Sequence, residues 1–391
     1  MDTPDHTIPV SPSVLIDHLG EDFFREEDAR RDFHQLVNLC RQLFNHFAHQ
    51  RIQPLRRLYE LFDPDLESVV PPSSRNADRI DELFGRLRQA FHDAGFEAMT
   101  DQTLIEASQR QKTVKVKVDT NLPSIERFAL FHRGISHKAS VVRPIKRLFR
   151  RVEQEIPTYT RVCIVTRTRD DPHIGIQLYK SVAREDVELL LPTVTIRMSI
   201  IDRIKLSGAG GSAFVSAVKL LRTLFLHVPK LIAVPFKVLL LPLGLLVAII
   251  YGGKAFLDYS KIKSQYLETL RENLYSLSLA KNRGVLAMLE QEMVDESVKL
   301  FALAWTFLSR AGPGLTEGEL RGAIEGYIER CFVRPTRFRT RRALDLLREL
   351  SLLEEDPGGK LRVKPLDEAL WTLDHIWDEL YEAPARPSPR P

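Results

Sequence analysis

Hydrophobic positions recur along this chain with two periods, and the change from one to the other outlines its architecture. Phe33, Leu36, Val37, Cys40, Leu43, Phe44 and Phe47 fall on one face at helical spacing, which predicts an amphipathic helix. It runs toward Leu58-Tyr59-Glu60-Leu61-Phe62-Asp63-Pro64-Asp65, where Pro64 disfavours helix at Asp63. Ile80, Leu83, Phe84, Leu87 and Phe91 predict a second helix, stopped by Gly95. From about residue 112 the period falls to two. Val114, Val116 and Val118 alternate with Lys115, Lys117 and Asp119, the pattern of a half-buried strand. Residues 128–131, 162–168, 174–179 and 194–200 read as further strands, with Asp170-Asp171-Pro172-His173 as a turn. Between strands, Val142, Ile145, Leu148 and Val152 with Arg143, Lys146, Arg147, Arg150 and Arg151 read as a basic amphipathic helix or a surface helix on the sheet. Residues 1–200 are therefore expected to form an α+β domain, helices first and a mostly antiparallel sheet after.

The middle of the chain loses both periods. Residues 238–253 carry no charge. Sixteen residues of helix reach about 24 Å, and extension back to Leu231 gives about 34 Å at the cost of including Lys237. A bilayer core is about 30 Å thick, and a lysine near a span's end reaches the interface. Leu239, Leu240, Leu241, Leu243, Leu245, Leu246, Val247, Ile249 and Ile250 would be the anchoring side chains. Residues 206–226 are apolar except for Lys219 and Arg222, with Gly208, Ser212 and Ser216 on one stripe and Ala209, Ala213 and Ala217 on another. Small residues let helices approach closely in lipid. Residues 206–257 thus predict a membrane helical hairpin; one spanning helix beside an interfacial one is the alternative.

Beyond it, residues 258–281 read as a long helix leaving the membrane, broken at Asn282-Arg283-Gly284, and residues 286–309 as another. Thr316 with Glu319 forms a capping box and Leu315 with Leu320 a staple. A helix carrying Leu320, Ile324, Tyr327 and Ile328 follows, then one burying Ala343, Leu344, Leu347 and Leu350. Residues 351–354 and 361–363 flank Asp356-Pro357-Gly358-Gly359 as a hairpin. The last helix has Leu366, Leu370, Leu373, Trp377 and Leu380. Helix, helix, hairpin, helix is the order of a winged-helix-like unit, expected over 312–383, with a Pro-rich disordered tail over 384–391.

Charge sharpens this picture. Net charge is +4 over 391 residues. Residues 1–100 hold 11 basic and 18 acidic residues, residues 101–150 hold 11 and 4, and residues 201–250 hold 6 and only Asp202. Positive charge gathers beside the apolar stretch, which suits an anionic membrane surface. Mean hydropathy of −0.17 leaves room for one or two spans but not a bundle. Three distant cysteines, Cys40, Cys163 and Cys331, exclude a disulfide framework and a Cys-based metal motif. The opening MDTPDHTIPV has no basic, apolar signal pattern.

Candidate chemistry is sparse. Asp63 and Asp65 around Pro64 could bind a cation or do acid/base work, although such a pair more often caps and redirects a chain. His34, His46 and His49 lack a carboxylate to complete a metal set. Gly208-Ala209-Gly210-Gly211-Ser212-Ala213 fits a dinucleotide loop, but the acid expected about 20 positions on is missing. No metal or cofactor is expected. Arg334, Arg337, Arg339, Arg341 and Arg342 could contact phosphates, with Asp345, Glu349, Glu354, Glu355 and Asp356 close by to oppose that.

The succession of Leu58-Tyr59 through Phe62-Asp63-Pro64-Asp65, Leu178-Tyr179-Lys180 with Asp186, Glu188, Leu190, Leu191 and Pro192, an apolar hairpin, Asn282-Arg283-Gly284-Val285 and Pro365-Leu366-Asp367-Glu368-Ala369-Leu370 resembles the domain-of-unknown-function family that includes animal transmembrane protein 143. The resemblance implies a membrane-embedded protein with no assigned activity. The excess of Arg over Lys points to a bacterial inner membrane. Together these readings favour a non-enzymatic, membrane-anchored interaction protein with soluble domains on the cytosolic face, partnered by the bilayer and by a protein or a second copy. Two alternatives stand beside it: an enzyme on a lipid-like substrate, with Asp63, Asp65, Lys180 and Asp186 as polar candidates, and a membrane-tethered nucleic-acid binder. A small-molecule ligand is left open.

Overall fold

The computed structural model describes residues 6–66, 76–99, 116–120, 125–142, 152–184, 194–198, 275–332 and 335–380, with Val187 and Leu190. They form an α+β structure whose strands pair antiparallel. Three helices lead: α1 (Pro12–Phe23), α2 (Glu27–Tyr59) and α3 (Ala77–Asp93). Ser11 and Asn76 cap α1 and α3, their side chains accepting from the Val14 and Arg79 amides. The apolar stripe on α2 is buried from Phe33 to Tyr59, as its period requires.

The strands are β1 (Glu97–Ala98), β2 (Val116–Thr120), β3 (Ile125–Val142), β4 (Val152–Thr168), β5 (Ile174–Ala183), β6 (Val194–Met198) and β7 (Ser278–Lys281). One five-stranded sheet has the order β1-β3-β4-β5-β7, and β2 pairs with β6 separately. Registers Phe131↔Cys163 and Cys163↔Leu178 bring three core side chains into one row across the sheet. The expected strands are all represented, and two expectations need correction. Residues 278–281, read as helix, are the edge strand β7: pairing beside β5 supplies backbone partners that outweigh local helix propensity. Val142 and Val152, read as part of a basic helix, are strand ends, while residues 143–151 lie outside the described residues.

After β7 come α4 (Arg283–Arg310), α5 (Glu317–Phe332), α6 (Thr340–Glu349), the pair β8 (Leu353–Glu355) and β9 (Leu361–Val363), and α7 (Leu366–Glu379). The capping box forms as expected: Thr316 Oγ1 accepts from the Glu319 amide, and Glu319 Oε2 accepts from the Thr316 amide at 2.9 Å. Helix, helix, hairpin, helix is the observed order.

The chain divides into two compact units, one built from Met1–Asp101, Ile125–Arg184 and Leu279–Pro391, the other from Gln102–Ser124 and Glu185–Ser278. In the first, α4 is the central element. Helices α1, α2, α3, α5 and α6 all pack on it, and α7 packs on α2. A helix surrounded in this way is buried on nearly every side through its middle, from Glu296 to Thr306, while Arg283, Ala287 and Gln291 leave an exposed stripe near its start; Val298, Phe301 and Trp305 are covered. Phe24, Phe33 and Trp305 stack in series, with centroids 4.5 Å apart for the first pair and 6.1 Å for the second. Among the described residues no helix is long and apolar enough to cross a membrane. Residues 206–257, which carry the expected hairpin and its anchoring side chains Leu239 to Ile250, lie outside them.

Candidate functional site

Two polar clusters lie inside the first unit. The first begins where α2 ends. Asp63 Oδ1 accepts the Asp65 amide at 3.0 Å, an Asx turn across Pro64. That turn aims the Phe62 carbonyl at the Ile174 amide, 2.8 Å away, and joins the helix end to the start of β5. Asn282, the residue between β7 and α4, completes the junction. Its amide donates to the Ile176 carbonyl at 2.7 Å. Its side-chain Oδ1 accepts from the Ile176 amide and the Tyr59 hydroxyl, each at 3.1 Å. Its Nδ2 donates to Asp65 Oδ2 at 2.6 Å. Tyr59 also reaches the Ile174 carbonyl at 2.9 Å, so its one proton is shared between two acceptors. Asn282 holds φ +48° and ψ −121°, a conformation that costs of order 1–3 kcal/mol and persists only where surroundings impose it.

Charge in this junction is contained. Asp63 is buried, and its Oδ2 makes no hydrogen bond but lies 3.5 Å from Arg283 Nε. Arg283 also pairs with Glu60 at 2.7 Å. Burial first, then the Asp63 and Asp65 carboxylates, pushes the Tyr59 hydroxyl far above its ordinary value, so it stays protonated as a donor. With the Asp63 carboxyl against Arg283 and the Tyr59 hydroxyl donating to Ile174 and Asn282, these groups brace the junction of α2, β5 and α4.

The second cluster is ionic. Arg133 pairs with Glu292 and, through Nη2, with Glu296 at 3.0 Å. Arg161 also pairs with Glu292. Lys299 Nζ lies 3.3 Å from Glu296 Oε2 and donates to the Ile8 carbonyl at 3.3 Å. Glu296 is 1% and Lys299 3% exposed, so these charges are shielded from bulk solvent. Burial pushes the Glu296 carboxyl up, but Lys299, Arg133 and Arg339 together overcome it and hold it below its ordinary value. Lys299 is shifted down, chiefly by burial. Gly95, at φ +82°, leaves room for this carboxylate: a Cβ there would sit 3.1 Å from Glu296 Cδ.

A family model described as a protein of unknown function (DUF3754) matches residues 141–284. The match runs from the end of β3 to Gly284 and so includes Lys180, Asp186, the apolar stretch and Asn282-Arg283-Gly284. No solved structure matches this chain.

Among the residues singled out from sequence, the fold brings Asp63 and Asp65 together with Tyr59, Asn282 and Arg283. Lys180 is exposed on β5 opposite Arg161. It lies six residues beyond Ile174, about 20 Å along the strand from the junction. Asp186 and Arg334 fall outside the described residues. Arg337 and Arg341 are exposed, the Arg337 carbonyl accepting from His6 Nδ1 at 3.1 Å. Arg339 and Arg342 turn toward the end of α3: Arg339 Nη2 donates to the His92 carbonyl at 2.9 Å, and Arg342 lies 4.0 Å from Asp93. Asp93 in turn faces Arg51, which pairs with Glu349 at 2.9 Å. Asn282 was legible only as a helix breaker. Glu292, Glu296 and Lys299 carried one signal that could have found them: charges a turn apart within the most apolar helical run of the C-terminal third.

Proposed function

We propose that this chain is a membrane-anchored, non-enzymatic interaction protein whose apolar insertion crosses a bilayer twice and returns to the side it left. One observation carries this reading. The insertion departs after β5 and comes back as β7, and β5 and β7 are neighbours in one sheet. The helix after β7 is the centre of the core that the N-terminal helices cover. A chain whose flanks share a sheet and a core must cross a membrane an even number of times. The stretches 206–226 and 231–253 supply two such crossings, and a lone span beside an interfacial helix does not satisfy the constraint. Asn282 then fastens the returning strand to β5 and α2, as an anchored unit requires.

The flanking Arg203, Lys205, Lys254, Lys261 and Lys263 favour a cytosolic folded unit by the positive-inside bias, in a bacterial inner membrane. Kinship with the family of transmembrane protein 143 belongs to the same reading. The α5–α6–β8–β9–α7 run we read as a winged-helix-like module used for packing, because Arg339 just before its second helix and Arg342 on that helix engage α3. Trp371 on α7, 67% exposed, is the large apolar side chain this reading offers to a protein partner or second copy.

Reporter fusions that distinguish cytosol from periplasm, placed after residue 391 and within 227–230, test the topology together with alkaline carbonate extraction. The expected result is a cytosolic C-terminal reporter, an outer-side reporter at 227–230 and a protein that stays in the pellet. Both reporters on one side, or release by carbonate, overturns the reading.

A further inference from the structure

Beside the buried ionic cluster an open cleft of about 460 Å³ lies between the end of α3, β1, β3 and the start of α6. That volume is in the range of small-molecule sites. Its inner wall is apolar: Phe96 and Phe131 are buried, and Phe131 stacks on Phe91 with centroids 4.3 Å apart. Ala98 is exposed at its rim. Gly95 in the same wall brings the cleft close to Glu296, as its contact with that carboxylate requires.

The cationic wall is Arg339. Its Nη2 is taken by the His92 carbonyl and by His92 Nε2 at 3.1 Å, which makes His92 an acceptor there and therefore neutral. Its Nη1 is buried and makes no hydrogen bond. Arg88, exposed on α3, adds a second guanidinium. Glu97 stands at the rim as well, 3.9 Å from His132 Nε2. Behind the wall, Arg133, Arg161 and Lys299 gather on Glu292 and Glu296 with Asp295 beside them, and Arg339 faces Glu296, Asp93 and Glu97. Asp295 is 3.9 Å from Arg41, and Asp93 is matched by Arg51 and Arg342. The group left unmatched is Arg339 Nη1, and a buried donor without an acceptor is costly.

We infer that this cleft binds an organic anion, a carboxylate or phosphate head on Arg339 and Arg88 with an apolar body against Ala98, Phe96 and Phe131. The anion supplies the acceptor that Arg339 Nη1 lacks, and the aromatic wall selects an anion with a body over a bare inorganic one. The head group can belong to a soluble organic acid or to an anionic lipid, and the probes below separate these sources.

The test is calorimetric titration of the full chain in detergent with phenyl phosphate, benzoate, inorganic phosphate, neutral benzamide and a short-chain phosphatidic acid. The expected result is saturable binding of phenyl phosphate or benzoate at least tenfold tighter than inorganic phosphate, with no benzamide binding. Arg339→Gln is expected to weaken binding at least tenfold. Because Arg339 also holds His92, two surface variants keep the test independent of folding. Arg88→Gln and Ala98→Glu should each weaken binding several-fold, whereas Ala98→Lys should not weaken it. Binding of the phosphatidic acid alone assigns the head group to lipid and supports the site when the same variants abolish it. Absence of binding by every anion, equal binding of benzamide, or indifference to both Arg88→Gln and Ala98→Glu overturns it.

Discussion

Replacement of Asn282 offers a direct test of the junction that closes the first unit. The side chain gives the Ile176 amide its acceptor and donates to Asp65, while the backbone sits at φ +48°. Removing the acceptor leaves a buried amide without a partner, a loss of about 1–3 kcal/mol, and the bond to Asp65 adds about 1 kcal/mol more. Alanine adds a backbone penalty of about 1–2 kcal/mol at positive φ that asparagine bears better. Asn282→Ala should therefore cost about 4 kcal/mol, a large part of the 5–15 kcal/mol that holds a typical domain together. Asn282→Gly loses the same bonds but relieves the backbone, and should cost about 2 kcal/mol. Asn282→Asp keeps the acceptor and sets a carboxylate against Asp65. Like charges raise the folded-state pKa of the pair, so its deficit should shrink as pH falls from 7 through the carboxylate range. Urea unfolding followed by tryptophan fluorescence reads this well, because all three tryptophans, Trp305, Trp371 and Trp377, lie in the unit that contains Asn282. Equal losses for alanine and glycine would show that no backbone strain is held there. A loss below about 1 kcal/mol for alanine, measured against the bond energies above, would refute the brace itself.

The other expectations concern burial and charge. Glu296→Gln leaves Lys299 and Arg133 buried without their shared partner and should cost about 3–5 kcal/mol by denaturant titration. The wild-type carboxyl is held below its ordinary value, so its stabilisation is complete above the usual carboxylate range and fades as pH falls through the lowered value; the variant should flatten that acid limb. His92 is pushed below 6.5 by burial first and then by Arg339, so the unfolded chain takes up its proton more readily. Stability should fall as pH drops below about 6.5, and His92→Gln should remove that component from a stability–pH profile. Gly95→Ala needs positive φ and meets Glu296 at 3.1 Å, and thermal unfolding should show a loss of about 2 kcal/mol or more. Maleimide should label only Cys331 in the native chain and all three cysteines after denaturation, since Cys40 and Cys163 are buried and burial pushes their thiols up.

Much of the local structure is readable from the chain. The face of α2 from Phe33 to Phe44 and that of α3 from Ile80 to Phe91 are both buried as their spacing demands. The Thr316–Glu319 box forms the bonds its spacing implies. These features depend on neighbours within a turn or two, so period and capping chemistry report them. Strand β7 was misread because four residues carry little pattern, and their state is decided by the open edge of β5. Asp63 and Asp65 were visible as an unusual pair around a proline. Their partners Tyr59, Asn282 and Arg283 were each visible as residues, yet nothing local joins Tyr59 to a residue 223 positions away.

The amino-acid sequence by itself determines which segments are helical, which are extended, where they are capped and where an unbroken apolar stretch interrupts them. Those properties follow from each residue's own conformational preference and from which side of an element must leave water. Only the tertiary structure decides that α4 lies at the centre of a core covered by the chain's first helices, and that the two flanks of the apolar stretch meet in one sheet. It also decides that Glu296 and Lys299 are buried where a solvent-facing charge pair would be the default. The physical reason is that burial and charge pairing here are set by contacts between residues more than a hundred positions apart. Lys299 on the Ile8 carbonyl and Arg133 on Glu296 are two of them, and such contacts leave no period in the chain.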